Sequence, residues 1–116
     1  MRFLPVFLDL QTGPVLLVGG GELARAKLRV LSAAGAHVRW FATDGDHDVS
    51  GLDADSVARI EFAAGDPLAA DLQGVIAVLC AGAGDVGVAM SVRAKAAGLP
   101  VNVMDDLVHS DRKSVV

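Results

Sequence analysis

With 116 residues, 53% of them hydrophobic, the chain has the length of one domain and enough apolar side chains for a single core. Its formal charge of −4 and ten scattered Lys and Arg residues offer no basic stripe to a phosphate backbone, so nucleic acid is not an expected partner. A single cysteine, Cys80, excludes an internal disulfide; the apolar runs fall well short of the roughly 20 residues of a spanning helix, and the N-terminus lacks a signal-peptide layout, so a cytoplasmic protein without a membrane partner is expected.

Phe3–Leu10 alternates apolar and other residues loosely and stops at Gln11-Thr12-Gly13-Pro14, which predicts an edge strand followed by a turn. Val15–Val18 is short, apolar and rich in β-branching, the pattern of a strand covered on both faces, and it runs into Gly19-Gly20-Gly21. From Glu22 the period changes from two to 3.6: Leu23, Ala26, Leu28, Val30, Leu31 and Ala34 fall mostly on one face, and Gly35 closes the helix. Val38–Ala42 predicts a second strand and the aspartate-rich Thr43–Asp55 a loop with at most a turn of helix. A third strand is expected over Val57–Phe62, and Asp66-Pro67 suits the N-cap and first position of a short helix through Leu72, ended by Gly74. Val75–Cys80 reads as a buried strand, Gly84–Ala97 as a helix ended by Gly98, and Pro100–Met104 as the last strand.

Strands alternating with helices through short connections predict an α/β fold, a Rossmann-like doubly wound and mainly parallel sheet with helices on both faces. Ligands of such sheets bind at the carboxyl ends of the strands, which directs attention to Gly19–Glu22, Ala42–Asp44, Cys80–Gly84 and Asn102–Asp105.

In G-x-G-x-x-G/A the first glycine makes a tight turn, the second admits a diphosphate to the backbone, and the third small residue lets helix pack on strand. Gly19, Gly21 and Ala24 match, after a buried strand and at the start of an amphipathic helix, which is the context the motif requires. An NAD(P) pyrophosphate is therefore expected on the amides at the helix start, where the macrodipole favours negative charge. The candidate cofactor-binding residues are Gly19, Gly20, Gly21, Glu22, Leu23, Thr43, Asp44, Ala81, Gly82 and Asn102. The second strand ends in Trp40 and Phe41 rather than in an acid; Asp44 either reaches the adenosine ribose or is one more solvated loop carboxylate. NAD against NADP stays open on the motif alone, and the absence of an Arg cluster leans towards NAD.

No metal site is expected. Asp44-Gly45-Asp46-His47-Asp48 starts like a calcium loop, but Val49 stands where the sharp-turn glycine is needed and Asp55 replaces the bidentate glutamate, so it reads as a solvated loop. His37 and His109 lack zinc-ligand spacing. Cys80 is expected buried and inert, Trp40 as a packing residue, and Arg25 and Lys27 as solvated helix positions that can also steer an acidic ligand.

Three spaced segments carry a resemblance. Leu4-Pro5-Val6-Phe7-Leu8-Asp9-Leu10, then Val18-Gly19-Gly20-Gly21-Glu22-Leu23-Ala24 with Arg25 and Lys27, then Val101-Asn102-Val103-Met104-Asp105 follow the patterns L-P-x-F-x-x-L, V-G-G-G-x-V-A-x-R-K and N-V-x-D. The chain thereby resembles the precorrin-2 dehydrogenase/sirohydrochlorin ferrochelatase family, the NAD-binding domain of siroheme synthase, over residues 1 to 108. The resemblance implies NAD-dependent dehydrogenation of precorrin-2 to sirohydrochlorin, in some members followed by insertion of ferrous iron, with a tetrapyrrole substrate. It also implies a homodimer for the full-length protein and Asp105 as catalytic general base; the alternative for Asp105 is a turn or cap residue beside Asp106.

Where the family has an A-T-D-D-like segment after the fourth strand, this chain has Cys80-Ala81-Gly82-Ala83-Gly84-Asp85, leaving backbone rather than side-chain contacts there. The expected organisation is an NAD(P)-binding domain over residues 1–108 and a short tail over 109–116. The family's dimerisation and helical domains are expected to be absent, so turnover by this chain alone is not expected. A non-catalytic NAD(P)-sensing regulatory module needs the same turn without the base and is the alternative reading.

Overall fold

The computed structural model describes residues 9–104. The strand expected over Phe3–Leu10 lies almost wholly outside them, as do Asp105, His109 and the tail. The described chain forms β1 (Val15–Gly19), α1 (Gly21–Ala33), β2 (Val38–Ala42), α2 (Ala54–Ala58), β3 (Ile60–Ala63), a 3₁₀ turn (Pro67–Ala69), β4 (Ala77–Ala81), α3 (Asp85–Ala96) and β5 (Val101–Met104). All five strands are parallel in the order β3-β2-β1-β4-β5. This is the Rossmann-like doubly wound sheet, and its winding reverses between β1 and β4, the switch point at which such sheets bind ligands.

The all-apolar composition of β1 follows from its central place. Val15 and Leu17 belong to one core with Leu28, Leu31, Val38 and Trp40 beneath α1; Leu16 and Val18 belong to the other with Val78, Met90 and Ala94 beneath α3. A strand buried on both faces cannot alternate with polar residues. Ala24, wholly buried, is the small residue that lets α1 lie close on the sheet. The registers Gly19↔Ala42, Gly19↔Ala81 and Ala81↔Met104 put the carboxyl ends of β2, β1, β4 and β5 in one row. Among the described residues no helix is long and apolar enough to cross a membrane.

Three expected elements differ. Val57 is in α2 rather than in the third strand, because Asp53 caps that helix: its Oδ1 accepts the Ser56 amide at 2.7 Å, and its carbonyl accepts the Val57 amide at 3.0 Å. Two local hydrogen bonds override the β preference of one branched residue. The helix expected from Asp66 through Leu72 is a single 3₁₀ turn. Asp66 does cap it at Leu68, but Ala70 is extended (ψ 148°), and Arg93 from α3 donates to the carbonyls of Pro67 and Ala70 that a longer helix would use. In β4 the ladder runs over Ala77–Ala81, since the Val75 amide turns back to the Leu72 carbonyl at 3.1 Å.

Asp53→Ala is expected to lower the midpoint of urea unfolding, through loss of the cap on the Ser56 amide. An unchanged midpoint would contradict the cap as the reason that Val57 is helical.

Candidate functional site

At the switch point the backbone is bare. Gly19 has φ +152°, and a Cβ there would lie 1.8 Å from the Ala81 carbonyl oxygen, so β1 and β4 can both reach the row only if this residue has no side chain. The Gly19 carbonyl accepts the Trp40 indole Nε1–H and the Thr43 amide, each at 3.2 Å. Trp40, fully buried, therefore serves as packing and as a clamp on the turn. Across the row, the Gly82 amide donates to the Met104 carbonyl at 2.8 Å, and a Cβ on Gly82 would lie 2.9 Å from the Gly20 carbonyl oxygen. Gly21, with φ +68°, opens α1 and has nothing within 4 Å of where a Cβ would stand.

The result is a groove of about 440 Å³ lined by Gly20, Gly21, Glu22, Leu23, Ala26 and Gly82. α1 begins at its floor without a cap from the side chain of its own N-cap residue, Gly20. The first amides and the positive end of the helix dipole therefore attract an anion.

One carboxylate already answers that attraction. Asp44 Oδ2 accepts the Gly21 amide at 3.2 Å and Oδ1 accepts the Asp46 amide at 3.0 Å; a Cβ on Gly20 would come within 2.8 Å of the same carboxylate. The Asp46 amide, aided by the Gly21 amide and by Arg25 through space, holds the Asp44 carboxyl below its ordinary range. The loop carrying Asp44 is fastened from below. His47 Nε2 lies 3.1 Å from the Trp40 carbonyl, and its ring meets the edges of Trp40 at 4.9 Å and Phe62 at 5.3 Å between centroids.

On the far side of this loop is a second cavity, of about 420 Å³, walled by Phe41, Thr43, Gly45, His47, Ala63 and Val86 among others. Thr43 and Gly45 line it while Asp44 between them reaches the glycine groove, so Asp44 stands between the two cavities. Charge beside the groove is closely balanced. Glu22 accepts Arg29 at 2.8 Å and Arg25 at 3.3 Å, and Arg25 also lies 3.9 Å from Asp48.

The expected contacts divide accordingly. Gly20, Gly21, Glu22, Leu23 and Gly82 line the groove; Gly19 and Ala81 pair with each other at the strand ends next to it; Asp44 meets it through Gly21; Thr43 hydrogen-bonds Gly19 but opens onto the second cavity. Asn102 is not gathered there. It pairs with Leu79 on exposed β5, two residues short of the row, where Met104 stands. Asp105 lies outside the described residues. Two residues at the site are not marked by any motif: Ala26, a small residue on the groove side of α1, and His47, whose signal in the sequence is one histidine inside an acidic loop.

A dinucleotide needs bare backbone and free amides for its diphosphate and an apolar wall for its base; the two cavities provide both, one on each side of Asp44. Fold and site together define a dinucleotide-binding domain of the doubly wound α/β class. Residues 6–113 match the family model described as putative NAD(P)-binding, and the chain belongs to that NAD(P)-binding family.

The curated proteins that it is similar to include siroheme synthases. The chain is 41% identical over 107 residues to that of Ectopseudomonas mendocina strain ymp and 38% identical over 111 residues to that of Stutzerimonas stutzeri strain A1501, in each case over 90% of this chain. It is 40% identical over 108 residues, 91% of this chain, to siroheme synthase 1 of Yersinia enterocolitica. The chain spans 22% of the length of each of these relatives. The likeness to the NAD-binding domain of siroheme synthase, and NAD as the bound cofactor, rest on these matches.

Glu22, Asp44, Asp48 and Asp53 all titrate below their ordinary values: Glu22 through Arg29 and then Arg25, Asp44 through the Asp46 amide, Asp48 through Ser50 and Asp53 through the Ser56 amide. A carboxyl with a depressed folded-state pKa stabilises the fold above its unfolded pKa, and that contribution disappears as pH falls through the folded value. The melting temperature should thus hold from about pH 7 to about pH 5 and fall below about pH 4. Asp44→Asn should shrink the fall. An unchanged melting temperature at about pH 3 would contradict these pairings.

Proposed function

We propose that this chain is the cofactor-binding part of a siroheme-biosynthetic oxidoreductase that converts precorrin-2 to sirohydrochlorin. The observation that carries the proposal is the side-chain-free junction of Gly20, Gly21 and Gly82 at the carboxyl edge of the sheet. The kinship with siroheme synthases supplies the substrate class. When bound, NAD supplies the hydride acceptor.

The chain's own residues supply the rest. The amides at the start of α1 receive the pyrophosphate, and the apolar cavity walled by Phe41, Ala63 and Val86 takes the adenine. Precorrin-2 loses a hydride and a proton. The proposed base for that proton is Asp105, next in sequence after Met104, the residue that ends β5 in the row with Gly19 and Ala81. In a protein that also inserts ferrous iron, the same carboxylate would take the two pyrrole protons that the metal replaces one at a time, passing each to solvent. The working enzyme is proposed to be a cytoplasmic homodimer of the longer protein that contains this domain.

Two experiments test this. Gly21→Asp places a second carboxylate in the groove, at a left-handed position that Asp tolerates better than most residues. NAD affinity by isothermal titration of the folded variant should fall at least about tenfold, alongside a modest drop in melting temperature from the positive φ; unaltered affinity would move the pyrophosphate elsewhere. In the longer protein, precorrin-2 and NAD should generate NADH absorbance, and Asp105→Ala should reduce the rate by about 100-fold or more. NAD binding without NADH formation by the parent would support the alternative of a sensing module, and full activity of the variant would remove Asp105 from catalysis.

A further inference from the structure

We infer that the outer side of β5 and α3 docks a second copy of this chain, the two β5 strands pairing antiparallel about a two-fold axis with the two α3 helices packed beside it. The surface lies within this domain, apart from the dimerisation domain that the resemblance assigns to the longer protein, and does not depend on where the dinucleotide lies.

α3 is apolar on more than its buried side. Gly87, Met90 and Ala94 face the sheet, yet Val88 and Val92, one turn apart, are 57% and 65% exposed, whereas α1 exposes Val30 alone. The direction of the remaining faces follows from their partners. Arg93 reaches the carbonyls of Pro67 and Ala70, and Val86 walls the cavity with Phe41, so this side of α3 looks towards the middle of the sheet. The opposite side carries Val88, Ser91 and Lys95, with Val92 adjoining, and looks out over β5. Ser91 suits burial there, because its hydroxyl is already spent on the Val88 carbonyl at 2.7 Å.

The strand beneath is open along the same side. The β4 amides of Val78 and Gly82 donate to the carbonyls of Pro100 and Met104, so alternate residues of β5 bond inward and the N–H and C=O groups of Val101 and Val103 point outward. Among the described residues no strand takes them. The other edge strand, β3, carries Glu61 in an ion pair with Arg39, a charge of the kind that guards an edge; Val101–Met104 has none.

Pairing the outward groups of Val101 with those of Val103 in the second copy, and the reverse, gives a two-fold through Asn102. Asn102 then stands opposite its own copy, where one carboxamide can donate and the other accept, a use for an exposed side chain that the groove does not gather. The helices fit the same axis. α3 packs on β4 and β5 alike, and with strands about 4.8 Å apart the two α3 axes come to about 10 Å, the spacing of packed helices.

The levels also agree. A Cβ on Gly87 would lie 3.8 Å from Val103 Cγ1, so the two residues are abreast. One strand residue of about 3.3 Å equals roughly two helix residues of 1.5 Å, which sets the Asn102 axis beside Met90. Met90 is midway between Val88 and Val92 and midway between Asp85 and Lys95. Antiparallel helices crossing there place Val88 on Val92 of the second copy and Asp85 near its Lys95, twice over. The surface is thus complementary to itself in both apolar contact and charge, as a two-fold interface must be.

Sedimentation equilibrium of the 116-residue chain over a wide concentration range tests the inference, with melting temperature recorded for each variant. The parent should pass from monomer to dimer as concentration rises, since so compact a surface belongs to the small end of specific interfaces. Lys95→Glu sets like charges together at both ends and should raise the dissociation constant about tenfold, and Asp85→Lys/Lys95→Glu should recover most of the loss. Val103→Pro removes an outward amide and leaves the ladder to β4 intact; it should weaken the dimer at least about tenfold. A parent that stays monomeric overturns the inference and leaves the cofactor site untouched. So does an unchanged constant in folded Lys95→Glu or folded Val103→Pro, or a double variant that fails to recover. Hydrogen exchange at Val101 and Val103 should slow as the dimer forms. Protection already complete in the monomer assigns the edge to another segment of this chain and likewise overturns the second copy.

Discussion

The contact on which the site depends is that between Gly19 and Ala81. Two parallel strands end side by side, and a Cβ on Gly19 would lie 1.8 Å from the neighbouring carbonyl oxygen, so the chain can turn into α1 there only as bare backbone. Everything around the turn is arranged from that point. Trp40 and Thr43 bond the Gly19 carbonyl, Gly82 approaches the Gly20 carbonyl, and Ala24 brings α1 down onto the sheet. The absence of side chains that this packing requires is also what opens donor amides to an anion. Structure and ligand chemistry here place the same demand on the same residues.

The second consequence is electrostatic. A helix start with no cap of its own tends to recruit one. In this chain the recruit is Asp44, delivered by a loop that His47 fastens to the strand beneath. The acidic loop is thereby divided. Asp44 is turned inward to the glycine turn, Asp48 receives Ser50 and lies near Arg25, and Asp53 caps α2. What reads as one solvated stretch in the sequence performs three separate local tasks.

Much of the architecture was legible because a parallel sheet writes its burial directly into sequence. Val15–Val18 and Val38–Ala42 coincide with β1 and β2 to within a residue, and the glycine turn announces itself by following one buried strand and opening one amphipathic helix. Short-range hydrogen bonding was less legible. Val57 looks like strand until Asp53 is seen to cap it, and Asp66-Pro67 looks like the start of a full helix until Arg93 is seen on its carbonyls. Asp44 illustrates the same limit at the site: composition places it in a loop, and only the fold reveals that the loop returns to Gly21. Asn102 is the converse, a residue marked by its motif that the register holds two positions short of the row.

The central claim is that a dinucleotide lies on the glycine junction at the carboxyl edge of the sheet. Amide chemical shifts of the 116-residue chain, followed by NMR during NAD titration, test it most directly. The account predicts that the largest shifts fall on Gly20, Gly21, Glu22, Leu23 and Gly82, with smaller ones at Thr43–Gly45, while Gly35, Gly74 and Gly98, in turns outside both cavities, stay unmoved. Saturable shifts that spare Gly20–Leu23 and Gly82 and cluster at those turns would contradict it.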